Sequence, residues 1–314
     1  MNQSKRSLEF ATKIGCIIDC SFCPQKLFIS NYNKTSKTKD IEMSLDNFKK
    51  IINKVPENVE IRFAGMSEPF LHQRCTDMIL YAHQSHHEIA VFTTIVGLSV
   101  EEIDRFKTIG FNDFVIHLPD NNSYSKIPIN EKYLLVLEKI FQSNIKGLRL
   151  SSHGKIPKIL NPLLDKYGYG SFKEYQGDEI HDRGGSLQIQ DNAKSNSLIN
   201  GPIACPASGG QEIKRNLVLP DGTVSFCCMD MEMNHILGNL LNDSYESLFL
   251  NDAFKSLRKL FNSNSSDFIC RKCIYVQRYN LYFKFKRFFY TYCPSFIQQT
   301  LFKLKQIKGT KPKH

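Results

Sequence analysis

Cys16-Ile17-Ile18-Asp19-Cys20-Ser21-Phe22-Cys23 packs three cysteines into eight residues, on a loop predicted to follow a short strand at positions 8–14. Thiolates so spaced are soft ligands, suited to zinc, copper or an iron–sulfur cluster. No fourth Cys or His stands nearby. A structural zinc site is closed by four ligands, and a ferredoxin-type run carries a local fourth cysteine. Three cysteines on a cubane leave one iron open to a substrate or cofactor. Burial as ordinary core thiols is the plain alternative.

The spacing C-x3-C-x2-C, with Phe22 just before the last cysteine and Pro24 just after it, resembles the signature of the radical S-adenosylmethionine (SAM) superfamily. The resemblance implies that Cys16, Cys20 and Cys23 hold a [4Fe–4S] cluster whose open iron chelates the methionine part of SAM. It implies reduction by a flavodoxin- or ferredoxin-type donor, and cleavage of SAM to a 5′-deoxyadenosyl radical that abstracts a hydrogen atom. It also places Phe22 beside the cofactor.

With 314 residues and 41% hydrophobic content, the chain can build one large α/β domain and a small appendage. No apolar run approaches a membrane span. Met1-Asn-Gln-Ser-Lys-Arg-Ser7 lacks a signal-peptide core, so the cytoplasm is the expected compartment. Ten cysteines there read as metal ligands and core residues rather than disulfides. The net charge of +10 is uneven, because positions 274–314 hold nine Lys or Arg and no acid. A nucleic-acid enzyme spreads positive charge over its active face, so nucleic acid is not the expected partner.

Strands and helices alternate after the cysteine loop. Leu45, Phe48, Ile51, Ile52 and Val55 recur at helical spacing behind Ser44 as N-cap. Strands are predicted at 59–64, 89–94, 114–118, 145–150 and 172–175. Helices are predicted around 75–82, from Ser99 to Gly110 behind a capping box, and at 130–141. This order predicts a parallel sheet with helices outside and a site at the C-terminal ends of the strands. The resemblance implies a partial (β/α)6 barrel. Ser/Asn-rich residues 191–201 read as a linker. Beyond it, 215–219 and 223–227 flank Pro220-Asp221-Gly222, a hairpin turn, and a helix is predicted at 244–260.

Cys205, Cys227, Cys270 and Cys273 form a second set, able to hold zinc or a fully ligated cluster. With Gly222-x4-Cys227, Leu237-Gly238-Asn239 and a C-x2-C pair, it is similar to a shortened SPASM, or twitch, domain. That implies one auxiliary [4Fe–4S] cluster, since only Cys293 follows downstream. Four thiolates leave no open iron, so this cluster is expected to exchange electrons and not to bind substrate.

The resemblance also offers site residues. Gly65-Met66-Ser67-Glu68-Pro69 stands where the family carries a GGE-like motif. This assigns Gly65, Ser67 and Glu68 to the amino group of SAM, although Met66-Ser67 departs from the glycine pair. A carboxylate suits an ammonium. Thr94, within Thr93-Thr94-Ile95-Val96-Gly97, and His117 are assigned near SAM or the substrate. A lone His at a strand end is as often a packed side chain. Arg183, within His181-Asp182-Arg183-Gly184-Gly185, has the fork to bind a substrate carboxylate or phosphate, whereas a plain turn accounts equally for the glycines. Cys228 follows a presumed ligand. Alternate strand side chains face opposite ways, so Cys227 and Cys228 are not expected to reach one cluster. Cys228 is then buried filler or a thiol hydrogen-atom donor, and Cys75, on an apolar helix stripe, reads as core. The tail from Tyr279, with Tyr282-Phe-Lys-Phe-Lys-Arg-Phe-Phe289, suits an anionic membrane surface or packs on the barrel.

Three regions follow: 1–190 as barrel, 191–275 as twitch/SPASM domain and 276–314 as a basic aromatic tail that can dock a cytoplasmic protein on a membrane surface. The resemblance implies a radical SAM oxidoreductase acting on a small molecule such as a sugar or aminocyclitol, by oxidation (dehydrogenase) or epimerisation. The alternatives are a peptide- or RNA-modifying radical SAM enzyme and, outside the class, a zinc-stabilised nucleic-acid-binding module.

Overall fold

A computed structural model describes residues 6–187 and 199–280. Most of the predicted linker, Cys293 and the basic tail beyond Asn280 lie outside the described residues.

β1 (Ser7–Phe10) leads into the cysteine loop and α1 (Gln25–Thr35). The alternation continues through α2 (Leu45–Ile52), β2 (Glu60–Phe63), α3 (Cys75–Gln84), β3 (Ile89–Thr93), α4 (Val100–Phe106), β4 (Asp113–His117), α5 (Glu131–Gln142) and β5 (Leu148–Ser151). The helix starts follow the sequence signals: Ser44 accepts from the Asn47 amide, Ser99 and Glu102 form a capping box, and Asn130 accepts from the Tyr133 amide. A short α6 (Asn161–Lys166) follows β5.

The five strands are parallel in the order β5-β4-β3-β2-β1. Leu8, Phe10, Ile61, Phe63 and Val91 are buried in one cluster with Phe48, Ile51 and Met78 of the covering helices. The alternate residues, Glu9, Arg62, Phe92, Val115 and Ser151, line the cavities inside the curved sheet. Strand periodicity thus separates an apolar outer face from a polar inner one. Cys75 is fully buried in the outer cluster, as its helical position predicts.

The sixth strand is not where the sequence pattern puts it. Residues Gly170–Glu174 form a 3-10 turn, and Phe172 stacks on Tyr175 at 4.4 Å. Beyond residue 199 the chain forms β6 (Ile203–Ala204), β7 (Arg215–Val218), β8 (Thr223–Ser225), β9 (Ile236–Asn239), α7 (Asp252–Leu260) and β10 (Gln277–Arg278). β7 lies parallel to β1, with Leu217 opposite Glu9, and fills the sixth place. β8 and β9 continue antiparallel, so one eight-stranded sheet runs β5-β4-β3-β2-β1-β7-β8-β9. The β7–β8 turn is the one predicted at Pro220-Asp221-Gly222, where Gly222 (φ +80°) donates to the Leu219 carbonyl at 2.9 Å. The helix predicted at 244–260 is broken by Asn251, which caps α7 through the Phe254 amide (2.9 Å) and donates to the Leu237 carbonyl (2.6 Å).

Candidate active site

The cysteine loop leaves the C-terminal end of β1. It is turned by Gly15 (φ +91°) and Asp19 (φ +48°) and tied down by Ser21, whose amide donates to the Tyr124 carbonyl at 2.8 Å. Cys16, Cys20 and Cys23 line one cavity of about 860 Å³. Phe22, Gly65, Ser67, Glu68, Thr94 and His117 share its wall, so the cavity gathers all the residues the sequence offered for SAM. Arg183 closes the far side.

The Phe22 ring meets His153 edge-on at 4.3 Å and His117 at 6.1 Å. Ser151 donates to Asp178 at 2.5 Å and contacts His117 Nδ1 at 3.3 Å. With its hydrogen given to Asp178, the Ser151 hydroxyl accepts from Nδ1–H, leaving Nε2 of His117 as an acceptor. That atom is buried without a partner among the described residues, as are Arg183 Nε and Gln25 Oε1, all three belonging to side chains of this cavity. Burial, with His153 adding to it, pushes the His117 pKa down to about 4.

Glu68 is held by protein donors on both carboxylate oxygens. It is buried, and Oε1 accepts from Thr93 Oγ1 (2.5 Å) and the Phe70 amide (3.2 Å). Oε2 accepts from the Thr94 amide (2.6 Å) and Thr94 Oγ1 (2.7 Å). Four donors occupy the acceptor sites of the carboxylate. Glu68 therefore clamps the β2 and β3 ends together, and Thr94 spends its hydroxyl in the same clamp.

Cys205, Cys227, Cys270 and Cys273 line a second cavity of about 1350 Å³, with Arg215 and Tyr275 beside them. Gly65, Phe92 and Arg183 line both cavities, so the two cysteine sets open toward one another. Cys228 lies in the second cavity too. The alternation that was expected to turn it away does not apply, because β8 ends at Ser225 and the two cysteines follow on a turn. The Cys227 thiol is raised well above its ordinary value by the contact with Cys228 and by burial. Burial likewise raises Cys16, Cys205 and Cys270, and lifts Cys20 and Cys273 to about 12.

The thiolate is the form that ligates a metal, and the donor sets suit iron–sulfur clusters, one with three sulfurs and one with four. The unpartnered polar atoms facing the first cavity fit a polar cofactor there.

Sequence reasoning passed over Glu9, Ser151 and His153. Glu9 carried a usable signal: it is a carboxylate between Leu8 and Phe10 in a strand whose other face is core.

Residues 210–274 match the sequence model of SPASM, an iron–sulfur cluster-binding domain. No curated protein matches the sequence. The chain is similar in structure to BtrN, crystallised in complex with AdoMet and 2-DOIA. That likeness has TM-score 0.58 and 16% identity, over 90% of this chain and 95% of that one. It is also similar to Streptococcus suis SuiB bound to precursor peptide SuiA, with TM-score 0.54 and 11% identity, over 91% of this chain and 73% of SuiB. Two things are thereby shown: residues 210–274 carry the match to an iron–sulfur cluster-binding domain, and the chain has the fold of BtrN and SuiB.

Proposed function

We propose that the chain is a radical SAM oxidoreductase acting on a small molecule held between its two cysteine sets. Cys16, Cys20 and Cys23 hold a [4Fe–4S] cluster with an open iron for SAM, and Phe22, Gly65, Ser67, Thr94 and His117 surround that cofactor. Cys205, Cys227, Cys270 and Cys273 hold one auxiliary [4Fe–4S] cluster. When bound, these groups supply a 5′-deoxyadenosyl radical and a route for electrons fed by a flavodoxin- or ferredoxin-type donor. Arg183 spans both cavities and offers its unpartnered Nε to the substrate.

The observation that carries this reading is the shared lining of the two cavities, which puts one bound molecule within reach of both cysteine sets. A small molecule such as a sugar or aminocyclitol is supported by the span of the match, 95% of BtrN against 73% of peptide-bound SuiB. We divide the chain as 1–190 barrel, 191–275 SPASM/twitch and 276–314 tail. Oxidation is the leading outcome. Epimerisation is favoured by one feature, the Cys228 thiol in the substrate cavity.

Anaerobic reconstitution with SAM and a reductant is expected to give a brown protein that produces 5′-deoxyadenosine. In D2O, an oxidised product without carbon-bound solvent deuterium identifies a dehydrogenase, and deuterium at the reacting carbon identifies Cys228-dependent epimerisation. A colourless zinc protein that forms no 5′-deoxyadenosine overturns the reading.

A further inference from the structure

We propose that Glu9 is the specificity-determining residue of the substrate cavity: its carboxylate accepts a hydrogen bond from a hydroxyl of a polyol whose neighbouring oxygen accepts from Arg183. The inference rests on the small-molecule reading above and adds what that molecule must present.

Two carboxylates stand near the mouth of the barrel, and they differ in what they touch. Glu68 is saturated by four protein donors. Glu9 points from β1 into the second cavity, and among the described residues no backbone amide, hydroxyl or amide side chain donates to it. Its neighbours are the guanidiniums of Arg62, Arg183 and Arg215 and the Cys228 thiol. Arg62 is committed to Glu60 and lies over the Phe92 ring at 5.6 Å. Arg183 keeps a buried Nε without a partner.

Gly65 fixes where this acceptor sits. A Cβ on Gly65 would come within 3.1 Å of Glu9 Oε1 and 3.2 Å of Leu217 Cδ1, so the bare glycine leaves room for the carboxylate. Because Gly65 lines both cavities, Glu9 stands at their junction.

Glu9 is half-buried beside the Cys228 thiol and the guanidiniums, and its carboxylate keeps acceptor capacity that a ligand hydroxyl can fill. A hydroxyl is both donor and acceptor. Adjacent hydroxyls therefore satisfy Glu9 and Arg183 at once. A phosphate is attracted by Arg183 and Arg215 but repelled by Glu9 and brings it no donor, and an apolar ligand leaves both Glu9 and Arg183 unpaired.

The test uses the full chain reconstituted with both clusters and SAM. Three probes are titrated calorimetrically: myo-inositol, scyllo-inosamine and myo-inositol 1-phosphate. The two polyols are expected to bind at least about tenfold more tightly than the phosphate. Glu9→Gln is expected to weaken polyol binding about tenfold while iron content and SAM affinity stay unchanged, and Glu9→Asp to restore part of it. Polyol affinity that is equal in wild type and Glu9→Gln overturns the role of Glu9 and leaves the small-molecule reading standing. Failure of both polyols to bind the wild type overturns the polyol site, and the small-molecule reading then stands or falls on 5′-deoxyadenosine formation. Tighter binding of the phosphate overturns the polyol site alone. Should Glu9→Gln lose its iron, the wild-type preference between polyol and phosphate still decides.

Discussion

Glu68 and Glu9 look alike as letters, yet one is held by four protein donors and the other lines the cavity beside the second cysteine set. Removing Glu68 strands the Thr93 and Thr94 hydroxyls and two backbone amides, and buried donors without acceptors cost about 1–3 kcal/mol each. Glu68→Ala should therefore lower stability by at least about 4 kcal/mol in urea unfolding. A Glu68 that only touched SAM would leave stability unchanged and lower SAM affinity alone. His117 gives a second residue-scale prediction, on pH. Its folded pKa is pushed from 6.5 down to about 4, so between these values the unfolded chain binds the extra proton. Stability is full above pH 6.5 and falls as the pH drops toward 4. His153, Asp120, Asp178 and Arg183 face the same ring. In His117→Gln, the drop in Tm between pH 7 and pH 4.5 should be smaller than in the wild type. The sequence places Glu68 just past a strand, but a carboxylate's partners are fixed only when separate strands meet, so its four donors were not legible there.

At the scale of elements, Asn251 separates a 3-10 turn (Glu246–Phe249) from α7 and pins the break to β9 through the Leu237 carbonyl. Asn251→Ala should cost about 1–2 kcal/mol by loss of the cap, read as a shift in the urea midpoint at constant slope. Gly222 is more exacting: besides its positive φ, an added Cβ would sit 2.6 Å from Leu241 Cγ and 2.7 Å from Asn239 Oδ1. Gly222→Ala is therefore expected to destabilise more than Asn251→Ala. Caps, turns and the five early strands were legible because each is specified within a few residues. Ser44, the Ser99–Glu102 box and Pro220-Asp221-Gly222 all sit where the pattern places them. The sixth strand was not legible. The aromatic run at 172–175 satisfies strand propensity but closes on itself by ring stacking, while the free edge of β1 is taken by Arg215–Val218, more than 200 residues away. Local propensity carries no information about a partner that distant.

That distant pairing carries both cysteine regions on one eight-stranded sheet, beside the small antiparallel pair β6–β10. β1, which delivers Cys16, lies directly beside β7, whose hairpin partner β8 delivers Cys227. Lys54, just past α2, reinforces the junction by donating to the carbonyls of Leu240, Leu241 and Asp243 at 2.9–3.2 Å. The two cysteine sets are thus held in fixed relation by backbone hydrogen bonds, yet each draws its ligands from its own loops. Structural coupling with chemical independence has a measurable consequence. A chain carrying Cys16→Ala, Cys20→Ala and Cys23→Ala should keep its β-sheet circular dichroism and about half its iron, roughly four atoms per chain, with a fully thiolate-ligated cluster signal and no change on adding SAM. The loss falls on the first loop alone, because no sulfur is shared between the sets. Zinc in the remaining four-cysteine site, or complete loss of metal with the sheet intact, would show instead that Cys205, Cys227, Cys270 and Cys273 do not form an independent cluster site, and the electron route assigned to them would go with it.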